Sequence, residues 1–113
     1  MTGAILKISD NKSLELRYTA RRAEKLETEL GSSLTDGLTK VDRISVLAKY
    51  ISCGADVSHD EALDAYDEYI GNGGTLESAV DVVFDALENG GFIAKGASEA
   101  AKKVRNQLRA RVS

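Results

Sequence analysis

The sequence predicts a mainly helical α+β domain: an N-terminal β-hairpin followed by four to five helices, two of them forming a central antiparallel helical hairpin. Three observations carry this expectation. Apolar residues alternate with polar ones over residues 4–18, they recur at three- and four-residue spacing from residue 20 onward, and there is no proline anywhere in the chain.

In the opening stretch Leu6 and Ile8 flank Lys7, while Leu14, Leu16 and Tyr18 flank Glu15 and Arg17. Between the runs, Ser9-Asp10-Asn11-Lys12-Ser13 supplies turn-forming residues, so strands are expected over residues 4–9 and 13–18. A lone hairpin is marginal in water. Its apolar face must therefore lie on helices or pair with another sheet edge.

Thr19 is a suitable N-cap for a first helix over residues 20–30, in which Ala23, Leu26 and Leu30 form the apolar stripe and Gly31 supplies the left-handed stop. A short helical turn is expected around Ser33–Gly37. Val41, Ile44, Leu47, Ala48 and Ile51 then mark a second long helix from about residue 40 to 53, ending at Gly54. Ser58-His59-Asp60-Glu61 has capping-box form and opens a helix over about residues 59–71, with Ala62, Leu63, Tyr66, Tyr69 and Ile70 inward. Gly71-Asn72-Gly73-Gly74 breaks it, and Thr75 caps the next, in which Leu76, Val80, Val83, Phe84 and Leu87 face the core until Asn89-Gly90-Gly91. So short a connection predicts that these two helices pack as an antiparallel pair. A last helix, Ser98–Val112, sets a thin stripe of Ala97, Ala100, Ala101, Val104 and Leu108 among basic residues; it buries little area and is expected to attach loosely or to order against a partner.

A chain of 113 residues with 42% apolar residues supports one hydrophobic core. Residues 1–94 are read as a single domain and residues 95–113 as a basic C-terminal helix. Stability is expected to be ordinary or slightly marginal, so that association with copies of itself or with a partner would help. The net charge of −3 hides a segregation: residues 1–49 carry +2, residues 50–94 carry −10 with no Lys or Arg, and the tail from Lys95 carries +5. An acidic and a basic pole suit head-to-tail association or capture of a basic partner, against the simpler reading of solvated helix faces.

The motifs that could carry chemistry fail on spacing. His59 is the sole imidazole and sits in a helix-opening turn, and no nucleophile-bearing signature accompanies it. Cys53 is the sole cysteine, which rules out an intramolecular disulfide and a multi-cysteine zinc site; beside Gly54, it reads as a small buried hydrophobe. The run Asp64-Ala65-Tyr66-Asp67-Glu68-Tyr69-Ile70-Gly71-Asn72-Gly73 has the ingredients of a calcium loop without its alternating ligands. Gly71-Asn72-Gly73-Gly74-Thr75 lacks the Lys-Ser/Thr of a phosphate loop and is followed by Glu77 and Asp81. The pairs Asp64/Asp67 and Asp81/Asp85 are expected on outward, solvated faces. No catalytic, cofactor-binding or metal-binding residue is assigned, and the protein is expected not to be an enzyme.

The longest nearly apolar run, Ala79–Ala86, is interrupted by Asp81 and Asp85, and residues 1–7 lack a basic and an apolar signal region. No membrane span and no secretory leader are expected, and the location expected is the cytoplasm. The six bases of the tail are the best case for nucleic acid, but no aromatic residue is interleaved and the adjacent −10 segment would repel a duplex. The aromatic residues Tyr66, Tyr69, Phe84 and Phe92 are expected mainly in the core, or at an interface, and to mark where packing is concentrated.

Two groups of strings resemble the tail assembly chaperones of long-tailed phages and prophages of Gram-positive bacteria. One is Leu14-Glu15-Leu16-Arg17-Tyr18-Thr19 followed by Ala23, Leu26-Glu27 and Leu30-Gly31, similar to that family's opening. The other is Ala65-Tyr66-Asp67-Glu68-Tyr69 with Gly73-Gly74-Thr75-Leu76 and an apolar helix closing at Gly90-Gly91-Phe92, similar to its "tyrosine, acid, acid, tyrosine, then glycine-glycine" central hairpin. The resemblance spans roughly residues 4–93. It implies a non-enzymatic protein of the infected bacterial cytoplasm, absent from the mature virion, that binds the tape measure protein and recruits major tail protein subunits. A small adaptor or nucleic-acid-associated regulator acting through the basic C-terminal helix is the competing expectation.

Overall fold

The computed structural model describes residues 3–103. The alternating segment forms a hairpin of β1 (Ala4–Ser9) and β2 (Lys12–Leu16), antiparallel, with Ala4 opposite Leu16 and Leu6 opposite Leu14. Asp10 and Asn11 make the turn, and the register shifts between Lys7 and Ser9. Leu6, Ile8, Leu16 and Tyr18 turn inward and are buried, whereas Ile5, on the opposite face, is 54% exposed. β2 stops two residues short of the sequence expectation. The reason is a change of hydrogen-bond partner: the Arg17 N–H donates to the Gly54 carbonyl at 2.9 Å, so the chain keeps its alternation but leaves the ladder for a helix end.

Helix α1 (Ala20–Leu30) is capped as expected, with Thr19 Oγ1 accepting from the Arg22 N–H and Gly31 in the left-handed region at φ 71°. A single helical turn, α2 (Leu34–Gly37), follows and is capped by Ser33. Residues 38–40 tighten into a 3-10 turn, so the next helix, α3 (Ile44–Ala55), begins about four residues later than its apolar stripe suggests. Ile44, placed on that stripe, stands at the open first turn and is 46% exposed. At the other end Gly54 does not stop α3. The helix runs on to Ala55, and Asp56 takes the left-handed cap at φ 58°.

α4 (His59–Gly71) opens with a complete capping box: Ser58 Oγ accepts from the Glu61 N–H, and the Glu61 carboxylate accepts from the Ser58 N–H. α5 (Leu76–Asn89) is capped by Thr75, with Ser78 making the reciprocal bond, and its end is turned by Gly91 at φ 82°. Residues 97–103 are helical, and the expected positions Val104 and Leu108 lie outside the described residues.

α3 is the hub of the domain. It packs on α1, α4, β2 and α5, and its Tyr50 is fully buried. α4 and α5 meet at their joining turn, but along their length each leans on β1 and on α3 more than on the other. The helical pair thus uses the hairpin as its floor, which is where the apolar sheet face finds its cover. Two asparagines at helix ends clamp that floor. Asn72 Nδ2 donates to the Ile8 carbonyl at 3.2 Å and Asn89 Nδ2 to the Gly3 carbonyl at 3.1 Å. Ile70, expected inward, is 41% exposed; Ala65 takes the buried position on α4 instead.

Candidate partner-binding surface

The "tyrosine, acid, acid, tyrosine" segment divides cleanly by helical geometry. Tyr66 and Tyr69, three residues apart, share the inner face of α4, both 8% exposed, with ring centroids 6.2 Å apart and tilted by 37°. Asp67 and Glu68 point outward; Glu68 pairs with Lys12 across 3.3 Å. The Tyr69 ring lies against Gly74, where a Cβ would come within 2.5 Å of it, and the Tyr69 hydroxyl bonds to Ser78 Oγ at the start of α5. The glycine pair after the tyrosines is therefore a steric requirement at one position, Gly74, and a backbone one at the other, Gly73, with φ 95°. Burial pushes the Tyr66 phenol up, and the neighbouring Tyr69 adds to the effect.

Phe84 and Phe92 are half-buried against the core rather than within it. The most deeply buried aromatic side chains are elsewhere. Tyr18 and Tyr50, which the sequence pattern did not single out as a centre, are 3% and 0% exposed and join α1, α2, α3 and the hairpin. Their hydroxyls each reach a carbonyl: Tyr18 to Tyr50 at 2.7 Å and Tyr50 to Leu34 at 2.5 Å.

Among the described residues a surface groove beside α5 is both concave and apolar. Between the 3-10 turn and α5 lies a groove of about 240 Å³ lined by Leu38, Val41, Leu76, Val80, Phe84 and Ala101. Asp42 and Glu77 stand at its edge. Two other depressions are lined largely by turn residues: one of about 440 Å³ beside Gly31, Ser32, Asp36 and Lys40, and one of about 490 Å³ beside Asp10, Asn11 and Asn72.

The acidic and basic segments meet on this same side. Ser98 is buried, its N–H donates to the Glu88 carboxylate at 3.0 Å and its hydroxyl to Asp85. One turn later Lys102 Nζ stands 3.4 Å from Asp85. Burial works against the Lys102 charge, but Asp85 and Glu99 outweigh it and hold the ammonium above the usual lysine range. Asp85 is thus a docking group for the C-terminal helix, not the solvated residue that the pattern suggested. Over residues 97–103 the expected stripe holds in part: Ala97 and Ala101 are half-buried, whereas Ala100 is exposed and Ser98 is buried instead, held by the Asp85 and Glu88 carboxylates of α5.

His59 is the first residue of α4 and is half-buried. Cys53 is buried in α3 with Sγ 3.8 Å from a Glu29 carboxylate oxygen; burial first, and then the Glu29 charge, push its thiol up. His59 and Cys53 are not brought together in any cluster, and among the described residues no group of three His, Cys, Asp or Glu is placed to hold a metal ion. Among the same residues no helix is long and apolar enough to cross a membrane. No protein-family model, curated protein or solved structure matches the chain.

Proposed function

We propose that this protein is a tail assembly chaperone of a long-tailed phage or prophage, binding the tape measure protein and recruiting tail tube subunits during tail morphogenesis in the host cytoplasm. The observation that carries the reading is the segment Tyr66-Asp67-Glu68-Tyr69 with Gly73-Gly74-Thr75, which carries the family resemblance and divides into structural and outward-facing positions. Tyr69 and Gly74 join α4 to α5, Tyr66 packs beside Tyr69, Thr75 caps α5, and the two acids face outward.

Two further features support it. The apolar groove beside α5 offers a seat for one face of an amphipathic helix, the form in which long helical partners present apolar side chains. The outward carboxylates of α4, including Asp60, Asp64 and Asp67, offer steering to a partner bearing Lys or Arg. Binding of this kind needs no catalytic group. In the competing regulator reading the C-terminal bases meet nucleic acid; Lys102, however, is already engaged by Asp85 within the chain.

The test is co-expression with the tape measure protein encoded in the same gene cluster, followed by size-exclusion with light scattering at low and high salt. A soluble multi-copy complex that forms only when both are present is expected. A partner whose solubility is unchanged, with no complex, would sink the reading.

A further inference from the structure

Among the described residues, the apolar core and the apolar side chains packed against it end with Ile93. The chain then turns, the Ala97 N–H donating to the Ala94 carbonyl at 3.0 Å with Gly96 in the left-handed region at φ 92°, and residues 97–103 run as a helix beside α5. Polar contacts hold this segment in place. The Ser98 N–H donates to the Glu88 carboxylate at 3.0 Å, the Ser98 hydroxyl donates to Asp85 Oδ1, and Lys102 Nζ stands 3.4 Å from the same Asp85 oxygen. The apolar share of the seat is small, because Ala97 and Ala101 are only half-buried and an alanine side chain removes little area from water. The Lys102–Asp85 pair is partly exposed and screened by salt, which leaves the buried Ser98 hydroxyl on Asp85 as the main fastening. A segment seated in this way opens at low cost and separately from the core beneath it.

What the segment covers gives its opening a use. Ala101 stands in the lining of the apolar groove with Val41, Leu76, Val80 and Phe84, so moving it away widens the groove along α5 and leaves Asp85 without its serine and its lysine. We propose that residues 97–103 are a releasable strap on α5, latched at Asp85, whose opening clears Ala101 from the groove and frees Asp85 to receive a Lys or Arg of an incoming amphipathic helix. Strap and partner compete for one carboxylate. The groove therefore opens fully only to a helix that brings a base with it. The chaperone reading enters only through the identity of that helix; the strap is tested without the tape measure protein, so either idea can fail while the other stands.

The test is amide hydrogen exchange, read residue by residue by NMR, in the full-length chain and its Ser98→Ala/Lys102→Ala variant. In the parent the amides of residues 100–103 should exchange faster than those in the middle of α5, and faster still as salt is raised. The variant should speed residues 100–103 by about tenfold or more, as expected for the loss of a hydrogen bond to a carboxylate together with an ion pair, and leave α3 and α5 protected. Residues 100–103 exchanging in step with α5 in both proteins, or a variant that loosens α3 and α5 as well, would make the segment an integral part of the fold and overturn the strap. A neutral apolar dye, N-phenyl-1-naphthylamine, should fluoresce more brightly with the variant than with the parent, and equal brightness would mean that the groove is not cleared. A helical peptide of Leu and Lys added to the parent should speed exchange at residues 100–103, whereas one of Leu and Glu should not. No effect of the first, or equal effects of both, would contradict competition for Asp85.

Discussion

The Tyr18 hydroxyl donates to the Tyr50 carbonyl at 2.7 Å, and its ring lies so close over Gly54 that a Cβ there would meet the phenol within 2.9 Å. A residue just past a β-strand thus fixes where the central helix may carry a side chain. The same node is tied by Arg22, whose guanidinium donates to the Arg17 and Gly54 carbonyls at 2.9 and 3.0 Å.

Gly54→Ala is expected to destabilise the domain despite the better helix propensity of alanine. The propensity gain is about 1 kcal/mol, whereas forcing the buried, hydrogen-bonded Tyr18 aside costs about 1–3 kcal/mol. Chemical denaturation should show a lower midpoint. A midpoint at or above that of the parent would mean that the ring has room to move.

Gly74→Ala makes a parallel case at the α4–α5 turn, where the Tyr69 ring occupies the space. A loss of about 1–3 kcal/mol is expected, while Asp67→Ala, on the exposed face, should change stability by less than about 0.5 kcal/mol. Thermal melts of the two variants side by side separate the structural half of the motif from its exposed half. Equal losses would refute that division.

Cys53 should react slowly. Its thiol is buried and held above its ordinary range, so little thiolate is present or reachable near neutral pH. Labelling with an aromatic disulfide reagent is expected to be slow in the native protein and fast in denaturant. A fast native reaction would mean that the α1–α3 packing opens readily.

Alkaline pH should unfold the domain through Tyr18 and Tyr50. Burial raises both phenols above the ordinary value of 10.0, so the unfolded chain gives up these protons at lower pH than the folded one. Stability is therefore full below about pH 10 and falls as pH rises beyond it. Absorbance at the phenolate band should report these two groups only together with loss of helical signal. Titration of all four tyrosines in a still-folded chain would contradict the burial argument.

Local chemistry was the legible part of the fold. Thr19, Gly31, Ser58 with Glu61, and Thr75 act at helix ends as their types and spacing suggest, because a cap depends on residues only three positions apart. Long-range partners were not legible. Gly54 reads as a stop by its type but serves as a gap for Tyr18, and β2 ends at Leu16 because Gly54 supplies another acceptor. Of the proposed partner surface, the acids facing out from α4 could be read from helical spacing. The groove could not, since it needs Leu38 and Val41 beside Leu76, Val80 and Phe84, two segments separated by all of α3 and α4. Nor could the role of Asp85, which depends on Ser98 arriving beside it.

The central claim, that this protein keeps a long apolar helical partner from aggregating, is tested most directly by light scattering during dilution of the denatured tape measure protein into buffer. Increasing amounts of this protein should suppress the scattering and reach a plateau at a fixed multi-copy ratio, with an unrelated acidic helical protein giving no such effect. Scattering that stays unchanged, or that both proteins suppress alike, would contradict it.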